Sequence, residues 1–152
     1  MHKLFKNLKV LDLSTVLAGP SVTTFFAELG ANVLKVEPPG FGDVTRSWKL
    51  PSEDPNENVS AYFSSVNYKK KYLTLNLNKP EDYSILMQHV ADADLLISNF
   101  KKGDAKKLKI EDTTLRKINP KLIIGKISGF GAQSDRIAYD LILQAETGFM
   151  SI

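Results

Sequence analysis

The sequence predicts an α/β fold, with a mainly parallel sheet flanked by helices, on three observations. Short apolar runs of strand type alternate with segments of helical periodicity. The first 36 residues read strand, helix, strand, which implies a right-handed parallel βαβ unit. The strand-to-helix join in that unit is a tight turn, Ala18-Gly19-Pro20, of the kind that brings backbone close to a ligand.

Leu8 to Leu13 is short, rich in Leu and Val and followed by a turn, so it reads as a buried strand. Pro20 stands where a helix begins, because its fixed φ suits the first turn and its missing N–H costs nothing there. Val22, Phe25, Phe26 and Leu29 fall at i, i+3, i+4 and i+7, the apolar stripe of that helix. Gly30 stops it, and Asn32 to Val36 forms the second strand. Residues 37–60 are dense in Pro, Gly, Asp and Asn and form a long excursion, a kind of segment that is usually functional or mobile. Tyr72 to Leu77 alternates as a strand does. Asn78 is positioned to cap the next helix, whose stripe is Tyr83, Leu86, Met87 and Val90. Asp94 to Ser98 is another buried strand, and a short lysine-rich helix is expected near Asp104. The segment "DTTLRKIN" predicts a further short helix, with Asp112 or Thr113 as its cap. Leu122 to Ser128 reads as a strand, Gly129 to Gln133 as a flexible loop, and Asp140 onward as helix. No repeat, low-complexity tract or linker divides the sequence, so residues 1–152 are expected to form one α/β domain. Leu141, Ile142, Leu143, Phe149, Met150 and Ile152 crowd its last segment without a polar tail, which predicts an incomplete domain, cut inside a larger fold.

Composition is that of a globular protein: 43% hydrophobic and 24% charged residues, with a net charge of +3. The absence of cysteine excludes disulfides, thiolate metal sites and a cysteine nucleophile. Lys3, Lys6 and Lys9 interrupt the start, so it has no signal-peptide core. No apolar run approaches the ~20 residues needed to span a bilayer. A cytoplasmic location without a membrane partner is therefore expected. Lysines cluster at 69–71 and again at Lys101, Lys102, Lys106, Lys107 and Lys109. Such runs are either solvated surface or attract a polyanion, whether small-molecule phosphates or nucleic acid. They carry no interleaved aromatics and no recognition motif, so nucleic acid is not the expected partner.

In an open α/β sheet, ligands bind beyond the carboxyl ends of the strands, and a helix start favours anions. The turn Val16-Leu17-Ala18-Gly19 is at such an end. Glu37 ends the second strand about where a dinucleotide-binding fold has its ribose-binding acid. The three-glycine phosphate fingerprint is absent, however, which disfavours an NAD enzyme. His2 and His89 are far apart and without ligand spacing, and no metal site is expected. Asp92 and Asp94 flank a helix-to-strand join as turn residues do, and no serine lies in a nucleophile elbow. The residues alone thus give a phosphate-bearing ligand and no visible catalytic set.

Five blocks in order carry a resemblance. "LKVLDLSTVLAGPSVTTFFAELGANVLKVEPPGFGDVTR" resembles the opening of the class III coenzyme A transferases, the CaiB/BaiF family. "NYKKKYLTLNL", "DLLISNF", "INPKLIIGKISGFG" and "AYDLILQAETGFMSI" resemble its later blocks, and the match runs over nearly the whole chain. The resemblance implies the N-terminal part of a Rossmann-like large domain, with the small domain absent. It implies coenzyme A or acyl-CoA as substrate, with a small carboxylic acid as the other partner. Val16, Leu17 and Ala18 would meet the nucleotide end, Asn99 and Phe100 would close another side, and Leu75 would pack nearby. Lys107 stands where the family often has a phosphate-binding arginine, supplying charge without the planar fork. Each has a plainer alternative: Val16 and Leu75 as core, Lys107 as surface.

Three departures qualify the carry-over. Lys101 follows Asn99-Phe100 where the family often has glycine, and Lys71 and Asn76 replace an arginine and an aspartate. Tyr139 precedes Asp140 where the racemase branch has a histidine base, which favours CoA transfer over racemisation. Tyr139 and Asp140 are candidates to line the active site, or simply start a helix. The family's nucleophilic aspartate, which forms a mixed anhydride and then an aspartyl-CoA thioester, falls after the last matched block, so no catalytic residue is expected in this chain. The family forms interlocked homodimers. The expectation is therefore a half-site, completed by a second copy or by a complementary C-terminal polypeptide. The alternatives are an inactive truncated remnant or CoA-binding module and, with less support, an NAD-binding Rossmann domain.

Overall fold

The computed structural model describes residues 4–131 and 133–151, so His2 and Ile152 lie outside the described residues. Five strands form one all-parallel sheet in the order β3-β2-β1-β4-β5: β1 (Lys9–Asp12), β2 (Asn32–Glu37), β3 (Lys71–Thr74), β4 (Leu95–Ser98) and β5 (Ile123–Lys126). Helices α1 (Ala18–Glu28), α2 (Ala61–Ser65), α3 (Pro80–Asp92), α4 (Asp104–Lys107), α5 (Asp112–Ile118) and α6 (Asp140–Glu146) occupy the connections and the end of the chain. The chain winds outward from β1 in one direction through β2 and β3. It then returns to the other side of β1 with β4, so the order reverses between β1 and β4.

Alternation along the strands builds two cores. Leu11, Leu13, Leu96 and Val36 face α3 and α5, packing with Leu86, Val90 and Leu115. Val10, Val33, Leu95 and Ile97 face the opposite way, with Ala27 of α1 and Ala31. Burial of both faces explains the near-continuous apolar β1 and β4. The α3 stripe is as expected: Leu86 and Val90 are fully buried, with Tyr83 and Met87 packed beside them.

Helix α1 departs from its expected stripe. Its buried residues are Gly19, Pro20, Thr23, Thr24 and Ala27, while Val22 and Phe25 are exposed. The threonines face inward because each hydroxyl has a buried acceptor. Thr23 Oγ1 donates to Asp12 Oδ2 at 2.6 Å, and Thr24 Oγ1 donates to the Val66 carbonyl. Pro20 is the third helical residue rather than the first, still within the turn where a missing N–H costs nothing. Gly30 ends the helix as expected, at φ +100°.

Two caps also differ from expectation. Lys79, not Asn78, is the N-cap of α3, with Pro80 at its first position. The Asn78 N–H instead bonds to Asn76 Oδ1 at 3.1 Å, an Asx turn. Glu111 precedes α5, so Asp112 lies in its first turn, where it favours the helix dipole. The excursion after β2 contains a single 3-10 turn, Val44–Ser47, and then α2, which no periodicity announced. Ser60 joins them: its Oγ accepts the Phe63 N–H at 2.9 Å and donates to the Thr45 carbonyl at 2.6 Å.

Candidate functional site

An all-parallel sheet brings every strand-to-helix loop to one edge, and the order reverses there between β1 and β4, the point at which such sheets form their ligand crevice. The loop after β1 forms one wall. Its ladder continues to Leu13, whose N–H bonds to the Ile97 carbonyl at 2.9 Å. Ser14 turns back on Asp12, donating its N–H to Oδ1 at 2.9 Å. Thr15 is clamped across the crevice by Asn99: its N–H donates to Asn99 Oδ1 at 2.9 Å, and Asn99 Nδ2 donates to its carbonyl at 2.8 Å. Val16 then adopts φ +69°, the left-handed region that a β-branched residue avoids. Such a conformation costs about 1–3 kcal/mol and persists only where the surroundings hold it. Here the Val16 N–H donates to both oxygens of Asp43, at 3.3 and 3.2 Å.

Leu17 is the N-cap of α1 and supplies no side-chain cap, so the opening of this helix offers backbone donors to an anion. Leu17 and Ala18 are exposed. Gly19 is required by packing, since a Cβ there would overlap the Ser14 side chain.

Beneath this loop lies a layer of buried charge. Period two puts Val33, Lys35 and Glu37 on the α1 side of the sheet, and Asp12 is the register partner of Lys35. Lys35 Nζ donates to the Ser14 carbonyl at 2.7 Å and lies 3.0 Å from Asp43 Oδ2, both side chains fully buried. Lys70 Nζ reaches Asp12 Oδ2 at 3.0 Å and donates to the Pro20 and Val66 carbonyls and Asn67 Oδ1, each at 2.9 Å. Glu37 binds Arg46 through both oxygens at 2.7 Å and accepts the Asp43 N–H at 2.8 Å. The Arg46 guanidinium stacks 3.8 Å from the Phe63 ring centre. Among the described residues, every buried polar side-chain atom has a partner.

Burial pushes the Lys70 ammonium down to about 8, against the opposing pull of Asp12. Burial also pushes the Asp12 carboxyl up. Lys35 and Lys70, with the Ser14 and Thr23 hydroxyls, outweigh it and leave Asp12 below the usual carboxylate range.

These contacts revise one expectation and account for a second residue. Lys70 is neither solvated surface nor available to a polyanion, although Lys69 and Lys71 beside it are exposed. Glu37, whose place resembled that of a ribose-binding acid in the disfavoured NAD reading, is bonded to Arg46 and to the Asp43 N–H instead. Of the nine candidates, the fold joins Val16, Leu17 and Ala18 to Asn99 through Thr15, with Phe100 half-buried on the adjoining core. Leu75 is buried in that core, its N–H bonded to the Glu37 carbonyl at 3.0 Å. Lys107 is exposed at the end of α4, 3.6 Å from Asp104. Tyr139 is the exposed N-cap of α6 and Asp140 its first residue. Lys101 Nζ lies 5.7 Å from the Tyr139 ring centre, which brings the start of α6 beside the loop after β4. Sequence reasoning missed Asp12, Lys35, Asp43 and Arg46. The signal was present in "NVLKV": a lysine in phase with Val33 in a strand buried on both faces demands a buried anion.

The opposite edge of the sheet holds a cleft of 280 Å³ lined by Asp92, Asp94, Asn119 and Lys121. Of the two carboxylates expected in the turn, Asp94 lies there and accepts the Lys9 N–H at 2.8 Å, while Asp92 is the last residue of α3 and pairs with Lys9 Nζ at 2.6 Å. Among the described residues, no group of His, Asp and Glu is arranged to hold a metal, and no helix is long and apolar enough to cross a membrane.

The model of CoA-transferase family III matches residues 5–152. The chain is 39% identical to the succinate–glutarate CoA-transferase of Agrobacterium fabrum, over 96% of its own length and 38% of the relative's. It is 42% identical to the acetyl-CoA:oxalate CoA-transferase of Acetobacter aceti, over 96% of its length and 37% of the relative's. Among solved structures, a CaiB/BaiF family protein from Brucella suis superposes with a TM-score of 0.92 at 36% identity, covering 100% of this chain and 41% of that one. The chain thus spans under two fifths of the length of these two enzymes. The unbroken family match and the all-parallel fold shared with the Brucella protein lead to one conclusion: the chain belongs to CoA-transferase family III.

Proposed function

We propose that this chain supplies the coenzyme A-binding N-terminal part of an acyl-CoA:carboxylic acid CoA-transferase. The observation that carries the reading is the loop Val16-Leu17-Ala18 beside the β1/β4 reversal, held by bonds at Thr15 and Val16 and exposed at Leu17 and Ala18, in a chain of this family. Leu17 and Ala18 offer an apolar surface and α1 backbone donors to the nucleotide end of CoA. Phe100 bounds the crevice on the β4 side, and Lys107 supplies positive charge for a phosphate. Leu75 contributes from beneath, as packing.

In this reading the nucleophilic aspartate comes from outside residues 1–152. It attacks the acyl-CoA carbonyl, and the acyl group remains as a mixed anhydride while CoA leaves as thiolate. The thiolate then attacks the aspartyl carbonyl, releasing the first carboxylate and leaving an aspartyl-CoA thioester for the incoming acid. Tyr139 and Asp140 line the acyl end of the site, and a tyrosine at 139 fits transfer rather than racemisation. The family's homodimer, or a complementary C-terminal polypeptide, supplies the remaining residues. The two named relatives act on oxalate, or on succinate and glutarate, which supports a short dicarboxylic acid as acceptor.

Calorimetric titration of CoA into the 152-residue chain, with a transfer assay from succinyl-CoA to oxalate or glutarate alongside, tests the reading. Binding without turnover is the expected result. A folded chain that binds no CoA would overturn it and favour a remnant without a working half-site.

A further inference from the structure

We propose that Asp43 is a positioning residue for the ligand loop, acting through the Val16 amide. The strained residue and its restraint meet at one point: Val16 has φ +69°, and its N–H is received by both Asp43 oxygens at 3.3 and 3.2 Å. A β-branched residue keeps that backbone only if something outside the loop holds it. Asp43 is itself immobilised. Lys35 Nζ lies 3.0 Å from its Oδ2, and Thr45 donates to its Oδ1 through the backbone at 3.1 Å and the hydroxyl at 2.8 Å. Its own N–H is held by Glu37, which Arg46 grips from the other side.

The excursion after β2 therefore delivers a fixed carboxylate under the loop after β1. Lys35 makes the arrangement reciprocal, because the same ammonium that neutralises Asp43 also holds the Ser14 carbonyl. Two backbone groups of the loop, Ser14 C=O and Val16 N–H, are thus set by one buried ion pair. The direction in which Leu17 and Ala18 leave the loop follows from the Val16 torsion. On the coenzyme A reading above, ligand affinity depends on Asp43 although Asp43 is fully buried and does not line the crevice.

The test is a double-mutant cycle on the 152-residue chain, with coenzyme A alone as calorimetric probe and amide hydrogen exchange at Val16 as second readout. Asp43→Asn keeps the shape and removes the charge. It should weaken CoA binding about tenfold and speed Val16 exchange about a hundredfold. In a Val16→Gly background, where the left-handed torsion is free, the same substitution should cost about threefold or less. Equal losses in both backgrounds, or no loss in either, would overturn the proposal. A general loss of stability would fall equally on both. If Asp43→Asn does not fold, because Lys35 is left buried without its counterion, Lys35→Met/Asp43→Asn is compared with Lys35→Met alone under the same criteria. If the unmutated chain binds no CoA, the functional reading fails and Val16 exchange still decides. Exchange unchanged by Asp43→Asn would overturn the positioning role, and acceleration confined to the loop would establish it.

Discussion

The Lys70 ammonium lies 3.0 Å from Asp12 Oδ2, with both side chains fully buried and the two residues 58 positions apart in sequence. The pair ties the strand before the candidate loop to the segment before β3. Lys70 also holds the Pro20 carbonyl in the first turn of α1. One ammonium thus joins three separate stretches of chain beneath the site.

Removing one partner of such a pair leaves an uncompensated buried charge. Lys70→Met should therefore destabilise the fold by about 3–5 kcal/mol, read by urea unfolding. A cost below about 1 kcal/mol, as for an exposed pair, would show that the ammonium reaches water.

Asp12 contributes stability that acid removes. Its folded carboxyl titrates below the usual range, so the unfolded chain binds a proton more readily. Its stabilisation is complete above the ordinary carboxylate value of about 4 and is lost as pH falls through the lower folded value. In Asp12→Asn, unfolding free energy should fall less steeply below pH 4 than in the unmutated chain. Lys70 acts at the other end. With the folded ammonium at about 8, the unfolded state binds more protons between there and about 10.4, and this group's contribution to stability rises with pH across that window. An NMR titration of the Lys70 side chain should show a midpoint near 8.

Gly19 offers a test by sign. Inside an ordinary helix Gly→Ala gains up to about 1 kcal/mol. Here the added methyl overlaps the Ser14 side chain, so Gly19→Ala should destabilise by about 1–3 kcal/mol in thermal unfolding. A raised midpoint would mean that the α1–loop contact is loose.

Asn99 makes two bonds to Thr15 across the crevice, and Asn99→Ala removes both. A loss of about 1–3 kcal/mol in stability is expected, with weaker CoA binding. Stability lost with affinity unchanged would mean that Asn99 braces the strands without shaping the ligand wall.

Lys107 is exposed and only loosely paired, so Lys107→Ala should leave the unfolding free energy within about 0.5 kcal/mol of the original. Its effect should be on ligand alone: CoA affinity lower by about three- to tenfold, with a shallower dependence on salt. Unchanged affinity would assign Lys107 to plain surface.

The fold class was legible because burial on both faces leaves a strong mark. "VLDL" and "DLLIS" read as strands since their apolar side chains are buried on both faces of the sheet, and α3 showed its stripe because that stripe packs into the apolar core. Helix α1 misled for the converse reason: Thr23 and Thr24 turn inward to bond Asp12 and Val66, a preference invisible until those acceptors lie beneath them. The site was legible in part. The turn at Val16–Gly19 stood out as a loop at a strand end, the Asn99-Phe100 pair came only with the family resemblance, and the β1/β4 reversal brings the two together.

The sequence by itself determined the order of the strands and of the helices other than α2, and which loops share an edge, because hydrophobic period and parallel connection are local properties. Only the tertiary structure decided which charges are buried together. Asp12 meets Lys70 from 58 positions away, and Lys35 meets Asp43 only because the excursion after β2 folds back under the sheet edge. A lysine in water and a lysine closed in by four oxygen acceptors are written with the same letter.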